Sequence, residues 1–263
     1  MNTFLRSCIA IVAISLCTTS TAAIITWDGD APDGLWITPT NWDGNAVPQP
    51  NDDVIINNGD VVTTNGLGPT ENLPADLSII LSGNSTLDSL ARVVRLNGAD
   101  LTVASGSTLT GNFWDLNNGT LTFEDGAIAT MNNWEQKGTN DFTFVLGSSG
   151  FTTLTPRRFR FGGGATIADA IYNVDMGAYT GGTGVITLAD FLLSGSMSNA
   201  TFQGAGGLNI LNAGNYVANL QWNDATRAIE LNVTGIVPEP GTWAVFALLT
   251  MGCGVYHRRS AEQ

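Results

Sequence analysis

The sequence predicts an all-β fold, a right-handed parallel β-helix or a related β-solenoid, and three observations carry that expectation. An apolar–Thr–apolar motif with a glycine close behind recurs as Leu101-Thr102-Val103 with Gly106, Leu121-Thr122-Phe123 with Gly126, and Phe142-Thr143-Phe144 with Gly147. The copies keep a period of about 20 residues, within the range of solenoid repeats. Period-two alternation sends the flanking apolar side chains to one face and the threonine to the other. Helical periodicity is nearly absent, and 31 glycines spread along 263 residues argue against long helices. A repeat of this length with Asn/Gly turns is one solenoid coil, each strand stacking on the next. Thr102, Thr122 and Thr143 are therefore a candidate outward ladder.

In chain order, Met1 to Ala23 has the features of a secretory signal peptide: Arg6, an apolar core from Cys8 to Leu16, and small residues ending in Ala22-Ala23. Signal peptidase is the expected partner, cutting after Ala23. Cys17 raises the alternative of a lipoprotein, but Leu16 stands where a lipobox needs a small residue. Next, Trp27, Trp36 and Trp42 fall close together, between turn formers. They are expected to cap the open end of the core; stacking on sugar rings is the alternative. With Pro48 and Asp52-Asp53-Val54 behind them, they form a pattern that is similar to the opening of secreted bacterial β-solenoids, autotransporter-like passengers included.

The repeat occupies the middle of a body expected over residues 24–165. Leu96-Asn97-Gly98 and Leu116-Asn117-Asn118-Gly119 share its phase, and Ile80 with Gly83 is a degenerate earlier copy. From about Thr166 the register changes, and 166–236 is expected to form a C-terminal β cap. Strand-like runs at Ile171–Val174, Gly184–Leu188 and Phe191–Leu193 lead to a hairpin. Its arms alternate Tyr216, Ala218, Leu220 and Trp222 with polar residues, then Ile229, Leu231 and Val233. Such a hairpin covers an otherwise open edge.

Composition removes several chemistries. Residues 24–240 hold 7 Lys+Arg against 22 Asp+Glu, a balance of −15, which disfavours a nucleic-acid partner. Cys8, Cys17, Cys253 and the single histidine, His257, all lie in the terminal segments. The body therefore lacks the residues for a Ser-His-Asp triad, a Cys-His pair or a His-ligated metal. No cofactor and no metal is expected. Asp28, Asp30 and Asp33, or Asp52, Asp53 and Asp60, are oxygen donors of the kind calcium takes, yet neither set has a calcium-loop spacing, and such clusters commonly close turns. Arg157-Arg158-Phe159-Arg160-Phe161 alternates Arg158 and Arg160 onto one strand face, opposite the aromatics. That face suits an acidic polysaccharide or a charged, aggregation-resistant edge. Sequons at Asn84, Asn118, Asn199 and Asn232 are permissive only.

The last segment opens Val237-Pro238-Glu239-Pro240, where two prolines end any strand. Gly241 to Tyr256 is an uncharged run, followed by His257, Arg258 and Arg259. As a helix it spans ~24 Å, short of the ~30 Å hydrocarbon thickness, with the arginines on the cytoplasmic side. In this order the features look like the PEP-CTERM sorting signal of Gram-negative bacteria, over residues 237–263. The resemblance implies a C-terminal transmembrane helix, recognition by a membrane-embedded exosortase at Val237, Pro238, Glu239, Pro240, Arg258 and Arg259, and delivery to the outer surface or extracellular matrix. Related tails also occur on proteins named for ice binding. An uncleaved membrane anchor is the alternative.

Three function classes remain. The leading one is a non-catalytic surface or matrix structural and adhesion protein. A polysaccharide- or ice-binding solenoid is second. A carboxylate-based polysaccharide lyase or glycosidase is last, because it needs two facing acids that no spacing here supplies.

Overall fold

The computed structural model describes residues 22–67, 71–90, 92–193 and 197–236. Residues 1–21, most of the expected signal peptide, and the whole expected sorting segment from Val237 lie outside them. Among the described residues no helix is long and apolar enough to cross a membrane.

A short strand β1 (Ile24–Thr26) leads into about five turns of parallel β-solenoid. The first coil holds β2 (Asp53–Ile56), β3 (Val61–Thr63) and β4 (Glu71–Asn72), and the second β5 (Ser78–Leu81), β6 (Thr86–Asp88) and β7 (Val93–Asn97). In the third and fourth coils the latter two strands fuse: β8 (Asp100–Val103) precedes β9 (Thr108–Asn117), and β10 (Thr120–Glu124) precedes β11 (Ile128–Lys137). The fifth coil has β12 (Asn140–Val145) and β13 (Phe159–Phe161). Then come β14 (Ala170–Asp175), β15 (Gly184–Asp190), a one-turn helix α1 (Asn199–Phe202), β16 (Gly207–Leu211), β17 (Tyr216–Asn223) and β18 (Ala228–Ile236).

Three faces result. Face one is an eight-stranded parallel sheet in the order β1-β2-β5-β8-β10-β12-β14-β16. Face two stacks β3, β6 and the first halves of β9 and β11; face three stacks β4, β7, their second halves and β13. The corner inside β9 falls at Gly111, whose φ is +117°. A Cβ there would stand 2.7 Å from the Ser89 backbone nitrogen, so only glycine turns this corner without moving the coil below. Stacking β14 and β16 on β12 carries face one beyond residue 165, where the sequence suggests a boundary.

The core is a consequence of the alternation. On face one Val54, Ile79, Leu101, Leu121, Phe142 and Tyr172 stack in register and point inward. Ile56, Leu81, Val103, Phe123, Phe144 and Val174 form a second inward column. Burial of each large apolar side chain contributes about 1.5–3 kcal/mol. Early coils are filled by aliphatics. Later ones carry linked rings: Trp134 lies 5.1 Å from Phe142 and 5.9 Å from Phe159, and Phe142 lies 5.2 Å from Tyr172.

Both ends are closed by aromatics. Trp27, Trp36 and Trp42 are buried and packed edge to face at 4.9 and 4.8 Å, so the core reading of the three tryptophans holds over sugar stacking. At the other end β15, β18 and β17 form an antiparallel sheet, with the expected hairpin as β17–β18. Leu220, Trp222, Ile229, Leu231 and Val233 are buried, and Trp222 meets Phe191 at 5.7 Å.

Candidate functional site

Thr102, Thr122 and Thr143 are direct neighbours in register on the outer side of face one. The column continues through Ile80, Ile55 and Thr26 in one direction and Asn173 and Asn209 in the other. Its far end is an amide ladder: Asn209 donates to the Asn173 carbonyl at 2.9 Å, and Asn173 to the Thr143 hydroxyl at 3.4 Å. The adjacent outer column is acidic in places, with Asp53, Asp100 and Asp141 interleaved with Ser78 and Thr120. The threonine strip is thus one column wide and bordered by carboxylates.

A different column stands on face three: Arg95, Asp115, Glu135 and Arg160 stack in register. Asp115 Oδ2 accepts from Arg95 Nε at 2.9 Å and from Lys137 Nζ at 2.7 Å. Lys137 also reaches Glu135 at 3.2 Å, and Arg160 pairs with the same carboxylate while its guanidinium lies 4.5 Å over the Phe113 ring. Asp115 is fully buried, and Glu135 nearly so. The Gly162 turn covers Glu135 so closely that a Cβ at Gly162 would overlap its carboxylate. Burial opposes the charge on Lys137, but the hydrogen bonds and charges of Asp115 and Glu135 outweigh it and hold its pKa above the ordinary lysine value. Behind this column the Gln136 amide is buried with neither its nitrogen nor its oxygen bonded. The column is legible in the sequence, because Arg95, Asp115 and Glu135 recur at the same interval as Thr102 and Thr122.

The arginine-rich stretch divides between an ion pair and a groove. Arg160 is committed to Glu135 and Phe113, so it is not part of a free basic face with Arg158. Phe159 points inward and is buried, and Arg158 stands just before β13, bridged to Leu193, with Arg157 ahead of it. The two line a groove of about 180 Å³ with Asn132, Asn133 and Leu193. Their backbones are pinned on both sides: Arg157 N–H donates to Met131 O at 2.9 Å, Trp134 N–H to Arg158 O at 2.8 Å, and Leu193 N–H to Arg157 O at 2.9 Å. Among the described residues neither arginine forms an ion pair.

The aspartates near the amino end close turns. Asp33 accepts from Leu35 N–H, the Thr38 hydroxyl and the Asn41 amide; Thr38 first and then Leu35 hold its carboxyl below the usual range. Asp52 accepts from Ala23 and Gln49 N–H, and Asp60 from the Trp27 indole and Asn58. Asp28 takes Asp30 N–H. Among the described residues no three His, Cys, Asp or Glu side chains gather as a metal site. Ala23 is exposed and, besides its bond to Asp52, its carbonyl accepts from Asp53 N–H at 2.8 Å, next to the start of β1. Val237, Pro238, Glu239, Pro240, Arg258 and Arg259 lie outside the described residues.

Comparison with protein-family models, with curated proteins and with solved structures returns no match for this chain.

Proposed function

We propose that this chain is an exported, non-catalytic structural protein of the cell surface or extracellular matrix, a stiff β-solenoid spacer. The observation that supports it best is the outer column of face one, which keeps register over eight strands from Thr26 to Asn209. Seven steps of ~4.8 Å make a rod of ~34 Å in which each coil is hydrogen-bonded to the next. The tryptophan cluster and the antiparallel sheet serve as caps against edge-to-edge growth. In this reading signal peptidase frees the body at Ala23, and an exosortase reads Val237-Pro238-Glu239-Pro240 and Arg258-Arg259. Mass spectrometry of the protein from medium and envelope fractions is the test. Replacing Pro238-Glu239-Pro240 by three alanines traps the protein at the inner membrane; unchanged release with an unchanged C-terminal mass sinks the sorting reading.

Ice binding is a second reading, favoured only by the in-register threonines. It calls for thermal hysteresis that a Thr102, Thr122 and Thr143 to Lys variant loses. Absence of hysteresis in the parent removes it.

A further inference from the structure

We propose that the corner groove formed by Arg157 and Arg158 is a binding site for one uronate residue of an acidic polysaccharide. The stretch 24–240 around it carries a balance of −15, so the net charge opposes an anion over the rest of the surface. Of its seven basic side chains, Arg95, Lys137 and Arg160 are already bound to carboxylates. Among the described residues Arg157 and Arg158 are not, although their backbones are fixed between the fourth coil and Leu193. Two arginines that line one groove from a pinned backbone offer the planar donors that a carboxylate takes in paired hydrogen bonds.

The rest of the lining selects a sugar over a bare anion. Asn132 and Asn133 each bring an amide that, after its one bond to Asn112, keeps a donor and an acceptor, the mixture that ring hydroxyls need and a phosphate does not. Leu193, more than a third exposed, offers an apolar surface for the C–H face of the ring. About 180 Å³ is below the size of drug-binding pockets and suits a single ring with the polymer running outward from it. The amides arrive there by the same coil stacking as the other columns. The Asn132 side chain donates to Asn112 Oδ1, and Asn133 to Asn112 O, both at 3.4 Å, while Asn112 N–H donates to Ser89 Oγ at 3.0 Å. A ladder of polar side chains thus climbs the corner between faces two and three and ends at the two arginines.

This inference deepens the matrix reading, and its test is independent of export because it measures ligand affinity on purified protein. The whole chain in mild detergent is titrated with trigalacturonate, with neutral maltotriose and inorganic sulfate as comparison ligands, by calorimetry. The expected result is measurable trigalacturonate binding, weakened about tenfold or more in R157Q/R158Q and unchanged in R227Q, with neither comparison ligand matching it. R157K/R158K keeps the charge without the fork and falls between parent and the glutamine variant. N132A/N133A, which alters no charge, also weakens trigalacturonate, covering the case in which the arginine variants misfold. Absence of trigalacturonate binding in the parent overturns the proposal. Equal affinity in folded R157Q/R158Q, or sulfate or maltotriose binding as tightly as trigalacturonate, overturns it as well.

Discussion

The threonine column of face one and the charged column of face three arise from one stacking rule and end in opposite states. Thr102, Thr122 and Thr143 stay half open to solvent and lean mainly on backbone pairing. Arg95, Asp115, Glu135 and Arg160 occupy equivalent outward positions, yet Asp115 is fully buried beneath its partners and the Gly162 turn covers Glu135. Stacking sets each side chain directly beside its register neighbours, and the outcome depends on their chemistry. Threonines tolerate such neighbours; two adjacent acids require the cations above, below and across from them. Face three is thus a device that fixes register, and face one a surface.

That contrast is broken most severely by removing the cations. R95M/K137M leaves Asp115 buried with no partner and is expected to cost about 3–5 kcal/mol, read as a lower urea midpoint at unchanged m-value. Retention of parent stability would mean that water reaches Asp115 and that the column fixes nothing. Next in size is the polar side chain behind it. Q136M removes an amide with no partner at nearly constant volume, and a gain of about 1–2 kcal/mol is expected from the same denaturation curve. A loss would show that Gln136 has a bonding partner in solution.

A pH titration sharpens the comparison further. The folded-state pKa of Lys137 is raised, so its stabilisation is complete below the ordinary lysine value of about 10.4 and disappears as pH climbs through the folded one. Parent stability should fall more steeply than that of K137M over that alkaline range. Burial pushes the Tyr172 hydroxyl far up, and its loss of stability in the same direction is common to both proteins and cancels in the difference. The smallest effect belongs to face one: T102V, T122V and T143V are each expected within about 0.5 kcal/mol of parent. A larger change at any of them would give the open column a structural role that its geometry does not suggest.

Why some of this is legible in the sequence, and some is not, comes down to loop lengths. Along face one the steps from Ile80 to Thr102, Thr122 and Thr143 are nearly equal, so the repeat survives in the sequence. The steps from Thr26 to Ile55 and from Ile55 to Ile80 are longer and unequal. Beyond Thr143 the separations grow to 30 for Asn173 and then 36 for Asn209. There the loops hide strands that still stack, which is why the sequence reads β14 and β16 as a separate cap. The charged column shares the interval of the threonines and is open to the same reasoning, but burial of Asp115 and Glu135 depends on partners and on a turn at Gly162 that the interval does not reveal. The corner groove is not legible. In the fifth coil a loop replaces the face-two strand, so the sequence does not reveal that Arg157 and Arg158 meet Asn132, Asn133 and Leu193.

The coils stack in one register, and pulsed electron–electron double resonance tests that stacking most directly. With Cys8, Cys17 and Cys253 changed to serine, the chain takes nitroxide labels only at introduced cysteines. T102C/N209C lies four strand steps apart, I80C/N209C five and I55C/N209C six. The account predicts three narrow distributions whose centres rise by ~4.8 Å per step. Broad distributions, or centres that do not advance with the coil number, would contradict it.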